Sequence, residues 1–480
     1  MKKILSHSVI YAVGNAANSA ALLLLVPYLI KVLPTAEYGA WAIFEIVIFL
    51  LTMLSTAGLE VGLMREYYFQ RDEPQRARIA GTTFLMISVL GMLITLIGTG
   101  IVISGIDFGL PGAPFTLLTV LGIGWSDALC TFFLTLFRIR EQPLTFIAVS
   151  IGRMGLFAAL VIAFVEAGFG LIGALGGRLI ATLVCVIIAA FIARQWIAWP
   201  PERKIMGQII RYGLPLLPTN LATYILFAAD RYVMKSFLTL EDIAVYTFAY
   251  KIAATLDVLI TRSFALDWAP RRFKIATQPN PEQKYVQALL IYLWTAMSFA
   301  LVVVALTPLL YTLIAPPAYQ TAIAIVPTIL LAYIIYGLSY PLNIGIMLKD
   351  RTRDLPVIGW IAALSYIGLC WWWIPAFGLA GAAWATVVAY VLWTGCITIA
   401  SLHLYPIAYP WRQIGLIVSM AAIAYGGLWL SEMWLSPTHP MVAGLRLTWV
   451  SALMIGCGWW VWYRRHTPYP KRIDSPVIGD

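Results

Sequence analysis

The sequence predicts an all-α protein that crosses a lipid bilayer about fourteen times, and two features of the chain support this prediction. Apolar residues make up 61% of the chain and charged residues only 11%, whereas an ordinary soluble domain carries about 25% charged residues. Apolar stretches of about 20 residues, the length that a helix needs to cross a hydrocarbon core of roughly 30 Å, recur along nearly the whole chain. Lipid is therefore the expected solvent of most of this surface.

Polar, proline and glycine residues interrupt the apolar stretches and so divide the chain into predicted membrane spans. The first stretch follows Met1, Lys2 and Lys3 but exceeds the roughly 7 to 15 apolar residues of a cleaved signal sequence, so we interpret it as a retained span. The predicted spans are residues 8–33, 40–62, 80–105, 115–137, 143–165, 171–193, 213–238, 244–268, 285–313, 321–347, 356–375, 380–400, 414–432 and 442–463.

Positive charge is concentrated on one side of these spans. Three quarters of the 32 Lys and Arg residues lie at the termini or in every second loop, whereas alternate loops such as 34–39 and 314–320 contain none. Short positively charged loops are typical of the cytoplasmic face. We therefore expect both termini in the cytoplasm and the chain in the inner membrane. Because the positive charge is concentrated in these loops, the net charge of +10 does not indicate a nucleic-acid partner, and we expect none.

The two halves of the chain resemble each other in sequence. Residues 22–44 match residues 226–248 at seven positions, and Phe169–Ala174 matches Phe377–Ala382 at five of six positions, at nearly the same offset. Each repeat holds six spans, an even number, so both copies insert in the same orientation. We expect a pseudo-two-fold axis along the membrane normal to relate them.

The repeat predicts three parts: an N-terminal lobe over residues 1–197, a C-terminal lobe over residues 198–405, and two extra helices with a tail over residues 406–480. A cleft between two parallel lobes allows alternating access by rocking of one lobe against the other. A duplication kept for packing alone is the competing interpretation. The repeat favours a transporter.

Ionisable residues within the spans are functional candidates, because a charge near the bilayer centre costs at least about 2.5 to 3.5 kcal/mol. Arg178, Arg231 and Lys251 each lie seven residues from the outer end of their span, roughly 10 Å deep at 1.5 Å per residue. This layer of positive charge from both lobes predicts a site for an anionic substrate. The competing interpretation is a set of static ion pairs with carboxylates of the spans, namely Asp230, Asp257 and Glu45.

A second charged group is predicted near the middle of the bilayer. Asp127 and Arg153 each lie twelve residues from the outer ends of adjacent spans, and we interpret them first as a structural ion pair. Arg153 is also a candidate for substrate binding, and Asp127 for coupling. In the same way, Asp230 beside Arg231 could neutralise Lys251 across the hairpin of the seventh and eighth spans.

No pattern in the sequence indicates a metal site, a cofactor or an enzyme. A phosphate-binding GxxxxGK[ST] loop does not occur, so we expect no ATP hydrolysis by this chain. The cysteines lie singly in apolar segments without CxxC spacing or a histidine partner, which is typical of small buried hydrophobic residues. They are Cys130, Cys185, Cys370, Cys396 and Cys457.

Several motifs, in order along nearly the whole chain, are similar to those of one transporter family. Tyr212–Pro218 (YGLPLLP), Asp230-Arg231 and Ala244–Lys251 (AVYTFAYK) resemble the seventh and eighth helices of that family. Supporting matches are Glu37-Tyr38-Gly39 and the two repeated corners at residues 169–174 and 377–382. The chain thus resembles the polysaccharide transporter family, the O-antigen and exopolysaccharide repeat-unit flippases of the multidrug/oligosaccharidyl-lipid/polysaccharide exporter superfamily.

The resemblance implies translocation of an undecaprenyl-pyrophosphate-linked oligosaccharide from the cytoplasmic to the periplasmic leaflet. Cations in the cleft would hold the pyrophosphate, and an ion gradient or the membrane potential would supply energy. Membrane lipids, a polymerase and other polysaccharide assembly proteins are the implied partners. Two alternatives remain: a multidrug or cation exporter, which would prefer an acidic cleft, and a membrane polymerase or ligase, which would need larger external loops.

We predict that a cysteine placed at Thr35 reacts with a membrane-impermeant thiol reagent from the periplasmic side only. The reason is the absence of positive charge in the loop 34–39. Labelling in sealed vesicles of each orientation measures this directly. Reaction exclusively from the cytoplasmic side would reverse the orientation and with it the direction assigned to transport.

Overall fold

The computed structural model describes residues 25–105, 114–434 and 440–463. All regular elements in these ranges are helices, and the described residues contain no β-strand. The predicted first span, residues 8–33, is described only from residue 25, where the chain is already helical, and the basic C-terminal tail lies outside the described residues. The predicted all-α class is confirmed.

Besides the helical residues 25–32, the described chain forms sixteen α-helices, which we number in chain order. They are α1 (Thr35–Thr56), α2 (Leu59–Phe69), α3 (Glu73–Ile103), α4 (Pro114–Ile139), α5 (Pro143–Phe164), α6 (Gly170–Ala193), α7 (Arg203–Gly213), α8 (Leu217–Phe237), α9 (Leu240–Leu256), α10 (Arg262–Ala276), α11 (Pro281–Ile314), α12 (Ala322–Leu342), α13 (Ile344–Leu348), α14 (Asp354–Leu404), α15 (Trp411–Trp434) and α16 (Pro440–Tyr463). Single π-helical turns at Val165–Phe169 and Asp257–Thr261 join α5 to α6 and α9 to α10.

The lengths of the helices suit a bilayer. Within the described residues, nine continuous helical stretches are long and apolar enough to cross a membrane. Pro143–Trp196 has 54 residues and Asp354–Leu404 has 51, each far more than the roughly 20 residues that one crossing needs. Both contain a sharp turn, so each stretch holds two of the predicted spans. The chain is a multi-pass membrane protein, and the count of fourteen spans stays a prediction.

The two sharp turns have the same backbone conformation. Gly170 has φ 52° and ψ −136°, and Gly378 has φ 58° and ψ −133°. This region of φ and ψ is essentially restricted to glycine, because a Cβ atom would clash with the backbone. The two glycines occupy equivalent positions of the repeated motif, so this local likeness agrees with the internal repeat.

The described chain divides into two compact units. Within the described residues, the first unit comprises the chain up to Thr247, Ile314–Tyr319 and Ala363–Ala382, and the second comprises Phe248–Leu313, Gln320–Ala362 and the chain from Ala383. The predicted lobes, with boundaries after residues 197 and 405, have different limits, and their superposition about the membrane normal stays a prediction.

Each unit has its own hydrophobic core. In the first unit the buried rings of Phe132 and Phe133 on α4 pack against Phe84 of α3 at centroid distances of 5.5 and 5.7 Å. In the second unit α15 and α16 pack on α11, where the Trp294 indole donates a hydrogen bond to the Met454 carbonyl at 3.0 Å. The two extra C-terminal helices therefore belong to the core of the second unit.

We predict that Gly378→Ala lowers the free energy of unfolding by about 1 to 3 kcal/mol, since alanine cannot adopt the native φ without strain. A Cβ at Gly378 would meet no neighbouring atom, so the loss of stability would come from backbone strain alone. Gly395→Ala in the same helix also adds a Cβ to open space, but at an ordinary helical φ, and is the matched control. Thermal unfolding of both purified variants in detergent tests this, and equal melting temperatures would contradict it.

Candidate functional site

A carboxylate and two guanidinium groups meet inside the first unit. Asp127 on α4 accepts from Arg153 Nη1 of α5 at 3.0 Å and from Arg178 Nη2 of α6 at 2.7 Å. The Thr182 hydroxyl, one turn after Arg178, donates to the same carboxylate at 3.3 Å. We name these four residues the Asp127 cluster.

Small residues allow the helices of the Asp127 cluster to approach closely. A Cβ at Gly177 of α6 would lie 3.0 Å from the backbone nitrogen of Val161 on α5, so glycine brings the two backbones into contact. Arg178, the next residue, is thereby held beside α5. The cluster therefore depends on the packing of three neighbouring helices.

The Asp127 cluster carries one positive charge in excess. Only 9% of the Asp127 side chain is exposed, against 23% for Arg153 and 22% for Arg178. A guanidinium has five N–H donors, and the carboxylate occupies few of them. In the part of the chain that the structure describes, Arg153 Nε is buried and has no acceptor. The cluster has donors to spare for an anionic ligand.

The expected Asp127–Arg153 ion pair is confirmed, and Arg178 also joins it. In the sequence, Arg178 lies five residues, or roughly 7.5 Å, nearer the outer surface than Asp127. The long arginine side chain spans this difference in depth. From the sequence, the competing partners for Arg178 were Asp230, Asp257 and Glu45. In the structure, the carboxylate 2.7 Å from Arg178 is that of Asp127.

Asp230 and Arg231 form a second, fully buried pair in the first unit. Asp230 accepts from Arg231 Nη1 at 3.1 Å and from the Tyr246 hydroxyl at 2.7 Å. Arg231 also donates to the Phe227 carbonyl at 2.7 Å, and its guanidinium lies over the Phe227 and Tyr246 rings. Only 5% of its side chain is exposed. A headgroup-binding role for Arg231 stays a prediction.

Asp257 pairs with Arg262 in the second unit. The carboxylate accepts from Arg262 Nε at 2.8 Å, and the arginine side chain is 66% exposed. Lys251 on α9 and Glu45 on α1 are half-buried. The predicted layer of Arg178, Arg231 and Lys251 as one headgroup site stays a prediction.

The sequence interpretation missed a contact between two motifs that it used for the resemblance. Glu37 at the start of α1 accepts a hydrogen bond from the Leu171 backbone nitrogen at 2.8 Å. An acidic side chain at the N-terminus of a helix stabilises the helix, because the first backbone N–H groups have no partner within it. The Glu37-Tyr38-Gly39 motif thus caps α6. The motif and the glycine corner are each visible in the sequence, but Glu37 and Leu171 lie 134 residues apart, so nothing in the sequence signalled their contact.

Comparison with known proteins identifies a family and a fold. A sequence profile described as polysaccharide biosynthesis protein matches residues 4–276. Among solved structures, the lipid II flippase MurJ in an inward closed conformation has a TM-score of 0.76 at 13% identity, covering 96% of this chain and 99% of that chain. No curated protein sequence matches the chain.

Transporters of a second kind share this fold. An inward-facing multidrug resistance MATE family transporter of the MOP superfamily has a TM-score of 0.64 at 16% identity, covering 84% of this chain and 96% of that chain. An outward-facing MATE transporter has a TM-score of 0.58 at 16% identity, with coverages of 87% and 96%. At these identities the likeness concerns the fold alone.

We predict that Asp127→Asn lowers the abundance of the folded protein, because it leaves two guanidinium groups in the membrane without their carboxylate. Removing one partner of a buried ion pair costs about 3 to 5 kcal/mol. Arg178→Gln should be tolerated, since Asp127 keeps Arg153 as its counterion. Asp267→Asn, which removes an exposed pair with Arg271, is the control. Quantitative immunoblotting of membranes measures all three, and wild-type abundance of Asp127→Asn would contradict the prediction.

Proposed function

The chain belongs to the polysaccharide biosynthesis protein family of the multidrug/oligosaccharidyl-lipid/polysaccharide exporter superfamily, and from this we propose that it flips a lipid-linked oligosaccharide across the inner membrane. The proposed substrate is an undecaprenyl-pyrophosphate-linked repeat unit, moved from the cytoplasmic to the periplasmic leaflet for surface polysaccharide synthesis. A polymerase and other assembly proteins are the proposed partners.

The observation that supports this proposal best is the excess positive charge of the Asp127 cluster. Two guanidinium groups at 3.0 and 2.7 Å from one carboxylate leave a net charge of the sign that binds a pyrophosphate. Guanidinium groups match phosphate oxygens with paired N–H donors. Asp127 holds the two side chains in place and lowers the cost of keeping two cations in the membrane when no substrate is bound.

Translocation requires such a site because hydrocarbon cannot solvate the headgroup. Desolvating phosphate charges and sugar hydroxyls without replacement partners costs several kcal/mol for each polar group. In the proposed mechanism, Arg153 and Arg178 replace the water around the pyrophosphate while the prenyl tail stays in lipid. The membrane potential can contribute about 2.3 kcal/mol per charge for each 100 mV.

Export of a cationic drug is the second candidate, since MATE transporters share the fold. A cation would need an available carboxylate in its binding site. Asp127, the carboxylate of the cluster, already pairs with two arginines. The charge of the cluster therefore favours an anionic substrate over a cationic one.

We predict that Arg178→Gln reduces export of surface polysaccharide by about ten- to a hundredfold while the protein remains at normal abundance. The reason is the loss of charge-assisted hydrogen bonds worth about 1.5 to 3 kcal/mol. Arg271→Gln, which removes an exposed cation outside the cluster, should export normally. Polymer on the cell surface is measured and divided by the amount of protein in the membrane.

A neutral triple variant tests the proposal independently of stability. Asp127→Asn, Arg153→Gln and Arg178→Gln together remove every charge of the cluster and leave no unpaired ion. We expect this variant to accumulate in the membrane and to export no polymer. Full export would refute a headgroup-binding role for the cluster.

A further inference from the structure

A π-helical turn interrupts the eighth predicted span close to its middle. It covers Asp257–Thr261 and lies between α9 and α10. Residues five apart in a π-helix lie on the same face, which explains how Asp257 meets Arg262 at 2.8 Å. Such turns inside α-helices occur frequently at functional sites.

The face of α10 that bears Arg262 is exposed. Arg262 lies within a membrane span, yet two thirds of its side chain is exposed. Ser263 and Asp267 are exposed on the same helix. A charged side chain facing lipid is costly, so charges in spans face an aqueous cavity or the protein interior. Because of this cost, we expect the Asp257–Arg262 pair to border an aqueous space.

A group of tyrosine rings lies on the helix that packs on this π-helical turn. Helix α12 packs on the π-helical turn, and Tyr336 and Tyr340, one turn apart on it, are half-buried. Their rings are nearly perpendicular at a centroid distance of 6.1 Å, and Tyr390 of α14 lies 5.1 Å from Tyr336. Gly337, the residue after Tyr336, lies against this turn: a Cβ there would be 3.0 Å from the Thr261 side chain.

Packing explains the buried tyrosines near the π-helical turn but not the partly exposed ones. Tyr250 and Tyr333 are buried and contact each other at 5.5 Å, and the buried Tyr292 hydroxyl lies 3.0 Å from the Thr261 hydroxyl. Tyr336 and Tyr340 differ from them because both are partly exposed, on the helix that packs on the turn that bears Asp257. This combination is typical of a ligand site with aromatic walls and a few convergent polar groups.

The chemistry of the site selects a sugar ring among the possible ligands. A lipid tail would bury the Asp257–Arg262 pair without satisfying its remaining hydrogen-bond donors and acceptors, which is unfavourable. The carboxylate would repel an anionic ligand, and the guanidinium would repel a cationic one. A pyranose offers C–H faces to aromatic rings and hydroxyl groups to both a carboxylate and a guanidinium.

We propose that Asp257, Arg262, Tyr336 and Tyr340 form a subsite for a sugar ring of the lipid-linked oligosaccharide. The inference rests on the proposed flippase function and extends it. The subsite lies within the second unit, and it recognises the saccharide of the substrate. Specificity for the repeat unit would then reside in side chains other than those that hold the phosphate.

The test compares two kinds of lipid bound to the full chain in nanodiscs. One is bare undecaprenyl pyrophosphate, and the other carries a single sugar, either N-acetylglucosamine or galactose. We expect wild-type protein to bind at least one glycosylated lipid about tenfold more tightly than the bare lipid. Tyr336→Ala should reduce that ratio to about one and leave the affinity for the bare lipid within about twofold of the wild type.

Two control variants and one conservative variant test for indirect effects. Tyr311→Ala removes another half-buried tyrosine of the second unit, on α11, and should keep the wild-type ratio. Arg178→Gln should weaken both lipids equally and also keep the ratio. Tyr336→Phe retains the ring and loses only the hydroxyl, so it should give an intermediate ratio.

The outcomes separate this inference from the proposed function. A wild-type protein that binds bare and glycosylated lipids equally would overturn the sugar subsite and leave the flippase proposal standing. Equal weakening of both lipids by Tyr336→Ala, or an unchanged ratio, would also overturn the subsite. Binding of neither lipid by the wild type would overturn both proposals.

Discussion

Hydrocarbon offers neither hydrogen bonds nor counterions, and this constraint governs the whole molecule. Backbone polar groups must bond within their own helix, which is why the described elements are all helical. The same constraint acts on side chains. Asp127, Asp230 and Asp257 each contact an arginine at 3.1 Å or less. Which arginine each carboxylate pairs with determines what that charged group can do.

Three ion pairs of similar chemistry differ in exposure and in charge balance. The Asp230–Arg231 pair is neutral, buried and supported by Tyr246 and a backbone carbonyl, as a structural element would be. The Asp127 cluster is partly exposed and has one positive charge in excess. Arg262 is mostly exposed, and its partner Asp257 lies in a π-helical turn. Net charge and exposure, more than depth in the bilayer, therefore distinguish these three groups from one another.

Irregular backbone positions the charged side chains. The glycine corner at Gly170 reverses the chain so that α6 packs beside α5, and this packing brings Arg178 to Asp127. Glu37 stabilises the same corner by capping α6. In the second unit, a π-helical turn aligns Asp257 with Arg262. Each irregularity is local, but it determines the position of a charged side chain.

The sequence alone determined the helical class, the membrane location, the glycine corners and the list of charged residues within the spans. Hydropathy and glycine requirements are local properties, so they can be read along the chain. The sequence also predicted the Asp127–Arg153 pair, whose members lie at equal depth on adjacent spans. Only the tertiary structure decided the remaining partners. Arg178 meets Asp127 despite a difference of five residues in depth, and Asp230 pairs with its neighbour Arg231. The rotation of a helix about its axis and the reach of an arginine side chain set these contacts, and both depend on packing between helices rather than on position along any one of them.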